Sequence, residues 1–401
     1  MACALGATTL GVTASQSLHA QSGVSLVDSE ADNTDSVTSP LSSHPLKGKI
    51  ELAPPKLQPD KLQLPTPVDR KIGYAIVGLG ELSVQQILPA FAQCKHARCA
   101  ALVSGHPDKA AKLAGYYGVP KEAIYSYDNY DRMADNDRID VVYVVLPNSM
   151  HAEYTIRALK AGKHVLCEKP MATTVDECMQ MIAAAEHTSR RLMIAYRLHY
   201  EPMNMQVMQW CREKKFGPVH AFTSSNSQNV EAPNIRLSHA LGGGPLGDIG
   251  IYSINAARYI AGEEPTHVIA VADYAPDDPR FAEVPASVAF TLHFPSGVLA
   301  ACTSSFNSAV KRTYQVHCKS GTIEMDSAFA YDGLKLFTED GNGRVEHAFG
   351  QINHFTAEMD HFAQCIKENK DSSTPGSEGL HDVKVITALN DALRTGKKVA
   401  V

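Results

Sequence analysis

Ile72-Gly73-Tyr74-Ala75-Ile76-Val77 runs directly into Gly78-Leu79-Gly80-Glu81-Leu82-Ser83, and Val84 to Cys94 follows with apolar Ile87, Leu88 and Phe91. The first six residues have strand character, and the last stretch reads as a helix. Strand, glycine turn and helix in that order are the context of a dinucleotide-binding βα unit. Glycines allow the tight turn and let the main chain approach a pyrophosphate. The free N–H groups and positive dipole end of the helix complete an anion site. Gly78, Leu79, Gly80, Glu81 and Leu82 are therefore candidate cofactor-binding residues. Ser83 stands at the third glycine position, and an unrelated βα turn is the plain alternative.

The pattern continues outward. Arg98 to Val103 reads as a second strand and Asp108 to Tyr117 as a helix. Val141 to Leu146 is a continuous apolar run, suited to a strand buried on both faces. Pro147-Asn148-Ser149-Met150-His151 leads into a helix over about 152–161 that stops at Gly162. His164 to Cys167 is another strand, ending in Glu168-Lys169-Pro170. Alternating βα units imply a parallel sheet with right-handed crossovers, and ligands sit beyond its strand C-termini.

The end of the second strand bears on which dinucleotide binds. An acid there would hold the ribose 2′-hydroxyl of NAD. The loop reads Ser104-Gly105-His106-Pro107-Asp108-Lys109, with no acid at the strand end. Ser104 can donate a hydrogen bond, and Lys109 or His106 can neutralise a 2′-phosphate. This favours NADP(H); otherwise Lys109 is simply an exposed residue in the first turn of its helix.

The rest of the composition bounds the classes. The chain has 401 residues, 44% hydrophobic and 20% charged, as in ordinary globular enzymes, and its length favours two domains. Residues 1–46 hold no Lys or Arg and carry Asp28, Glu30, Asp32 and Asp35, so most of the net charge of −6 lies there. The near-neutral remainder suggests no nucleic-acid or membrane-surface partner. No apolar run reaches the roughly 18 residues of a membrane span. Nine cysteines without a CxxC pair argue against a disulfide scaffold or zinc ribbon, and no clustered His/Cys/carboxylate motif suggests a metal.

Ala4 to Val12 resembles a short signal h-region, with Val12-Thr13-Ala14 and Leu18-His19-Ala20 as cleavage candidates and no basic start. Export to a periplasm and a plain terminus on a cytoplasmic protein both stay open. Pro54, Pro55, Pro59, Pro65 and Pro67 mark an extended arm, a linker or a strap on a partner subunit. Three segments result: 1–69 as signal-like segment and arm, 70–195 as the Rossmann domain, and 196–401 as the substrate and oligomerisation domain.

At Glu168-Lys169-Pro170 the sequence resembles the Gfo/Idh/MocA oxidoreductases, and more closely their glucose–fructose oxidoreductase branch. Gly73 to Gly80, Leu146-Pro147-Asn148-Ser149, Tyr196-Arg197-Leu198-His199-Tyr200 and Gly247-Asp248-Ile249-Gly250-Ile251-Tyr252 carry the resemblance. It implies an α/β chain: an N-terminal NAD(P)-binding Rossmann domain and a C-terminal α+β domain with a large, mostly antiparallel open sheet. Strand-like segments at Val219–Ser225, Thr266–Tyr274, Ser287–Phe294, Val298–Ser305 and Tyr314–Cys318 fit, as do amphipathic helices over about 354–369 and 381–394. It also implies a homo-oligomer, dimer or tetramer, joined through that sheet.

Hydride transfer from a sugar hydroxyl needs a group that exchanges a proton and groups that stabilise a developing alkoxide. Asp248 and Tyr252, four apart in a helix over about 246–260, share a face. By resemblance Lys169 binds the substrate oxygen and makes a phenolate more accessible, Tyr252 exchanges the proton, and Asp248 orients substrate or the Lys/Tyr pair. Singly, Asp248 could be a first-turn acid and Tyr252 a core aromatic.

Leu146, Pro147, Asn148 and His151 are expected near the nicotinamide, His151 equally as a satisfied loop residue. Glu168 is expected at the nicotinamide ribose. Arg197 and Tyr200 are expected on cofactor or sugar. Tyr127 falls near the adenosine or on the plain surface. Arg236 is expected at a cofactor phosphate, although Ile235 replaces the Trp that precedes this Arg in related enzymes. The expected activity is NADP(H)-dependent sugar oxidoreduction of the glucose–fructose type, aldose to aldonolactone coupled to ketose to polyol. An ordinary NADP-dependent sugar dehydrogenase, an aldose–aldose oxidoreductase and a non-catalytic ligand sensor are the alternatives.

Overall fold

The computed structural model describes residues 71–401; the signal-like segment and the Pro-rich arm lie outside the described residues. The first sheet has six parallel strands: β1 (Ile72–Val77), β2 (Ala97–Val103), β3 (Ile124–Tyr125), β4 (Val141–Val144), β5 (His164–Glu168) and β6 (Leu192–Ala195). Their spatial order is 3-2-1-4-5-6. The order reverses between β1 and β4, so a crevice opens beyond the C-terminal ends of those strands. Helices cover both faces, which is why β1, β2 and β4 are apolar nearly throughout rather than alternating.

The second sheet has nine strands: β7 (Val219–Asn229), β8 (His267–Asp273), β9 (Ser287–His293), β10 (Leu299–Ser305), β11 (Asn307–Cys318), β12 (Gly321–Asp326), β13 (Lys335–Asp340), β14 (Gly343–His347) and β15 (Val399–Ala400). The order is 14-13-12-11-7-10-9-8-15, antiparallel except where β7 meets β10. In β8, β9 and β10 buried and exposed residues alternate. One face therefore packs on helices Ile251–Ala261 and Gly376–Thr395, and the other is open. Among the described residues no helix is long and apolar enough to cross a membrane.

Several local expectations change. The stretch after the glycine turn is shorter than a helix to Cys94: a π-type turn at Ser83–Ile87 and one turn at Leu88–Ala90. Pro89 lies at the join and has no N–H to donate into a longer ladder. The strands β12, β13 and β14 are short and carry charge on their open side, which hid them from an apolar reading. The last helix begins at Gly376, before His381. Helix His354–Lys367 returns to the nucleotide-binding half: Phe355, Met359 and Phe362 bury in its core, and the Tyr74 hydroxyl donates to the Met359 carbonyl at 2.8 Å.

Candidate active site

The glycine turn shows why its sequence is what it is. Gly78 has φ +90°, and a Cβ there would lie 2.2 Å from the Val145 carbonyl oxygen. A Cβ on Gly80 would meet nothing within 4 Å, so this face of the turn is open for a dinucleotide. Ser83 is fully buried and donates its hydroxyl to the Gly78 carbonyl at 2.5 Å. The residue in the third glycine position thus closes the turn from within. Leu79 is buried beside it, and its carbonyl accepts from the Lys109 ammonium. Burial lowers the Lys109 pKa to about 8.

The groups expected on the adenosine side lie together. The Ser104 hydroxyl accepts from the His106 N–H at 3.0 Å, which leaves its own proton free to donate. Gly105 follows, and the Tyr127 ring backs it: a Cβ at Gly105 would meet that ring at 3.1 Å. Tyr127 is buried and packs edge-on against Tyr154. These residues fit a 2′-phosphorylated dinucleotide, with one ammonium, one hydroxyl and no acid at the strand end.

The loop after β4 is tied at two points. The Asn148 side chain donates to the Gly242 carbonyl at 2.8 Å, joining the loop to the Gly242-Gly243-Gly244 turn. His151 is fully buried between the carbonyls of Pro170 and Leu146, at 2.8 and 2.9 Å. Burial lowers its pKa against the pull of those carbonyls. His151 is thus a clasp between the Leu146-Pro147 loop and the Lys169-Pro170 turn, rather than a side chain facing cofactor. Glu168 differs from expectation in the same way. It is buried, accepts from Tyr143 at 2.8 Å, and faces inward toward Glu358, which also meets the Tyr143 hydroxyl at 3.4 Å. Burial raises the pKa of both carboxyls.

Lys169, Asp248 and Tyr252 come together. Lys169 Nζ donates to the Asp248 carbonyl at 2.8 Å, lies 3.4 Å from Asp248 Oδ1, and sits 4.8 Å from the centre of the Tyr252 ring. The helix expected over 246–260 begins with a π-type turn at Leu246–Gly250 and continues as Ile251–Ala261. That turn re-spaces the ladder. The carbonyls of Asp248 and Ile249 accept from the Lys169 and Asn226 side chains. Burial works against the Lys169 charge, but Tyr252, Asp248 and Glu168 outweigh it and raise its pKa. Burial likewise works against the Asp248 charge, and Arg236 and Lys169 reverse the effect, lowering its pKa to about 2.

Arg236 binds Asp248. Its Nε donates to Asp248 Oδ2 at 2.6 Å, with Glu81 of the glycine turn close enough to add to its field. Arg197 is buried beside Tyr252. Its guanidinium bonds the Phe329 and Ala330 carbonyls at 2.7 and 3.0 Å and His354 at 3.2 Å, and reaches the Tyr252 hydroxyl at 3.4 Å. Tyr200 faces away from this cluster. Its hydroxyl is paired with Ser373 at 2.9 Å and its ring lies against His361, so the expected sugar contact is a packing residue. Phe329, stacked on Tyr252, and Tyr331, under Arg197, belong to the site and were not anticipated. Their loop carries no motif, and only the fold brings it to Tyr252.

Residues 72–196 match the family described as an oxidoreductase family with an NAD-binding Rossmann fold, and residues 204–324 match the GFO/IDH/MocA C-terminal domain. A D-xylose 1-dehydrogenase [NADP(+)] of Haloarcula marismortui is 31% identical over 83% of this chain and 94% of its own length. The crystal structure of an aldose-aldose oxidoreductase from Caulobacter crescentus, complexed with glycerol, is 43% identical with a TM-score of 0.81. It covers 83% of this chain and 100% of that chain. A 3-ketoreductase from Actinomadura kijaniata, crystallised with NADP and TDP-benzene, is 25% identical with a TM-score of 0.73, over 80% of this chain and 98% of its own.

Proposed function

The chain belongs to the GFO/IDH/MocA oxidoreductase family, and from that premise we propose that it is an NADP(H)-dependent sugar oxidoreductase acting at an aldose C1 hydroxyl. The observation that carries this is the Lys169–Asp248–Tyr252 cluster at the C-terminal edge of the dinucleotide-binding sheet. Bound NADP(H) supplies the hydride acceptor and donor. Tyr252 takes the proton from the C1 hydroxyl as the C1–H bond breaks, and the C1–O bond becomes the lactone carbonyl. In the reverse sense Tyr252 returns a proton to the oxygen of a carbonyl that gains hydride. Lys169 remains an ammonium across neutral pH and stabilises the oxygen while it is alkoxide-like. Asp248, held by Arg236, fixes the position of Lys169 by accepting from it through main chain and side chain. The His151 clasp and the Asn148–Gly242 bond position the loops that flank it.

We propose further that the two half-reactions are coupled on a retained cofactor, with a second sugar carbonyl as acceptor. A ketose acceptor follows from the glucose–fructose resemblance. An aldose acceptor is favoured by the 43% identity to an aldose-aldose oxidoreductase. Incubating the NADP-loaded protein with D-xylose alone and with D-xylose plus D-fructose separates these. Equal xylonate and xylitol from xylose alone identifies an aldose acceptor; a requirement for fructose identifies a ketose. Oxidation only with a continuous supply of free NADP identifies an ordinary dehydrogenase.

A further inference from the structure

A cleft that opens toward solvent is lined by Lys169, Tyr252, His199 and Asn255. Much of its remaining wall is apolar, including Leu198 and Met208. His199 has no part in the chemistry assigned above, yet the hydrogen bonds behind it fix which atom it presents. Arg258 has only donors, and its guanidinium meets Asp382 Oδ1 at 2.6 Å. Asp382 Oδ2 accepts from the Asn255 amide nitrogen at 2.9 Å. The Asn255 amide is therefore oriented with its oxygen toward His199 Nε2, at 2.7 Å. Two acceptors cannot bond each other, so Nε2 carries the hydrogen. A neutral imidazole protonated on Nε2 has its lone pair on Nδ1. Burial disfavours the charged ring and lowers its pKa against the pull of Asn255. Tyr259 braces the ring edge-on at 4.2 Å. Nδ1 has no partner among the described residues.

We propose that His199 Nδ1 accepts a hydrogen bond from one ring hydroxyl of the aldose and so selects sugars that carry that hydroxyl. The inference rests on the sugar-oxidoreductase reading above. Its force comes from contrast. Apolar walls do not reward a hydroxyl, whereas an acceptor that a bound sugar covers and leaves unpaired penalises a sugar that lacks the hydroxyl. The chain Arg258–Asp382–Asn255 positions His199 and touches no substrate.

The test uses the NADP-loaded protein with D-glucose and its 2-, 3-, 4- and 6-deoxy analogues, read as kcat/KM for the oxidative half-reaction. The wild type is expected to discriminate against one analogue by about ten- to hundredfold. His199→Phe, which keeps a ring against Tyr259, should lower kcat/KM for glucose by a similar factor and leave that one analogue nearly unchanged. His199→Gln, which retains an acceptor, should keep part of the discrimination and serves if the Phe variant does not fold. A uniform loss on glucose and every analogue would mean a merely structural residue and overturn the proposal. Unchanged glucose turnover in both variants would overturn it too. If the wild type turns over no aldose at all, the functional reading fails and the inference falls with it.

Discussion

Asp248 receives Lys169 twice, through its carbonyl oxygen at 2.8 Å and through Oδ1 at 3.4 Å. One residue of the second domain thereby fixes the ammonium at the end of β5. Lys169→Met removes the cation that faces both Tyr252 and the reacting oxygen. Turnover should fall by about a hundred- to ten-thousandfold, as for other positioned acid–base and oxyanion groups. Tyr252→Phe should give a loss of the same order. Because neither side chain lies in the glycine turn, both variants should retain NADP, measured as nucleotide released on denaturation.

Acid sensitivity should follow Asp248. Its pKa is lowered from 3.8 to about 2, so the unfolded chain binds more protons between those values. The stabilisation is fully present above about pH 4 and is lost as pH falls toward 2. Arg236→Gln removes the strongest attraction holding that carboxylate ionised. The acid limb of the melting temperature, followed by circular dichroism, should shift to higher pH in the variant. An unshifted limb would place the acid lability elsewhere.

Lys109 offers a separate pH signature. Its pKa is lowered to about 8 by burial against the Leu79 carbonyl. A 2′-phosphate nearby restores the charge, so NADP binding takes up a proton above about pH 8. NADP affinity should weaken as pH rises through that value, while NAD affinity stays level. Lys109→Met should narrow the NADP-over-NAD preference by about tenfold or more. Calorimetric titration with both nucleotides at several pH values checks this.

We propose that the open face of the nine-stranded sheet joins subunits. Ile269 and Val271 of β8 and Leu299 of β10 are exposed there, 50%, 66% and 46% accessible, on strands whose other side is core. Val271→Asp puts a charge on that face without touching the interior. Light scattering should show a smaller assembly than the wild type with the fold intact. An unchanged assembly would move the interface elsewhere.

The parts of this molecule legible in the sequence are those where local physics and tertiary structure agree. The apolar run of β1, the turn at Gly78 and the stop at Gly162 need no distant partner to be read. Lys169, Asp248 and Tyr252 were legible as a set through their motifs, although the π-type turn between the last two was not. The bond from Arg236 to Asp248 was not legible, because Asp248 lies across a glycine turn whose path no spacing rule predicts. His151 and Glu168 sit beside motif residues but point inward, and burial rather than position along the chain decides their roles. Tyr331 and Phe329 carry no local signal, because their surroundings are assembled from segments far apart in sequence, and His199 lies in a motif stretch that does not show its bond to Asn255.

The Lys169–Asp248–Tyr252 cluster is proposed to support hydride transfer from an aldose C1 to bound NADP. Its most direct test is an anaerobic single turnover. The NADP-loaded protein, desalted to remove free nucleotide, is mixed with D-glucose or D-xylose while reduced-nicotinamide absorbance is followed. A rise approaching one equivalent per subunit is expected, lost in Lys169→Met with nucleotide still bound. No rise with any aldose in the loaded wild type, or an equal and equally fast rise in Lys169→Met, would contradict it.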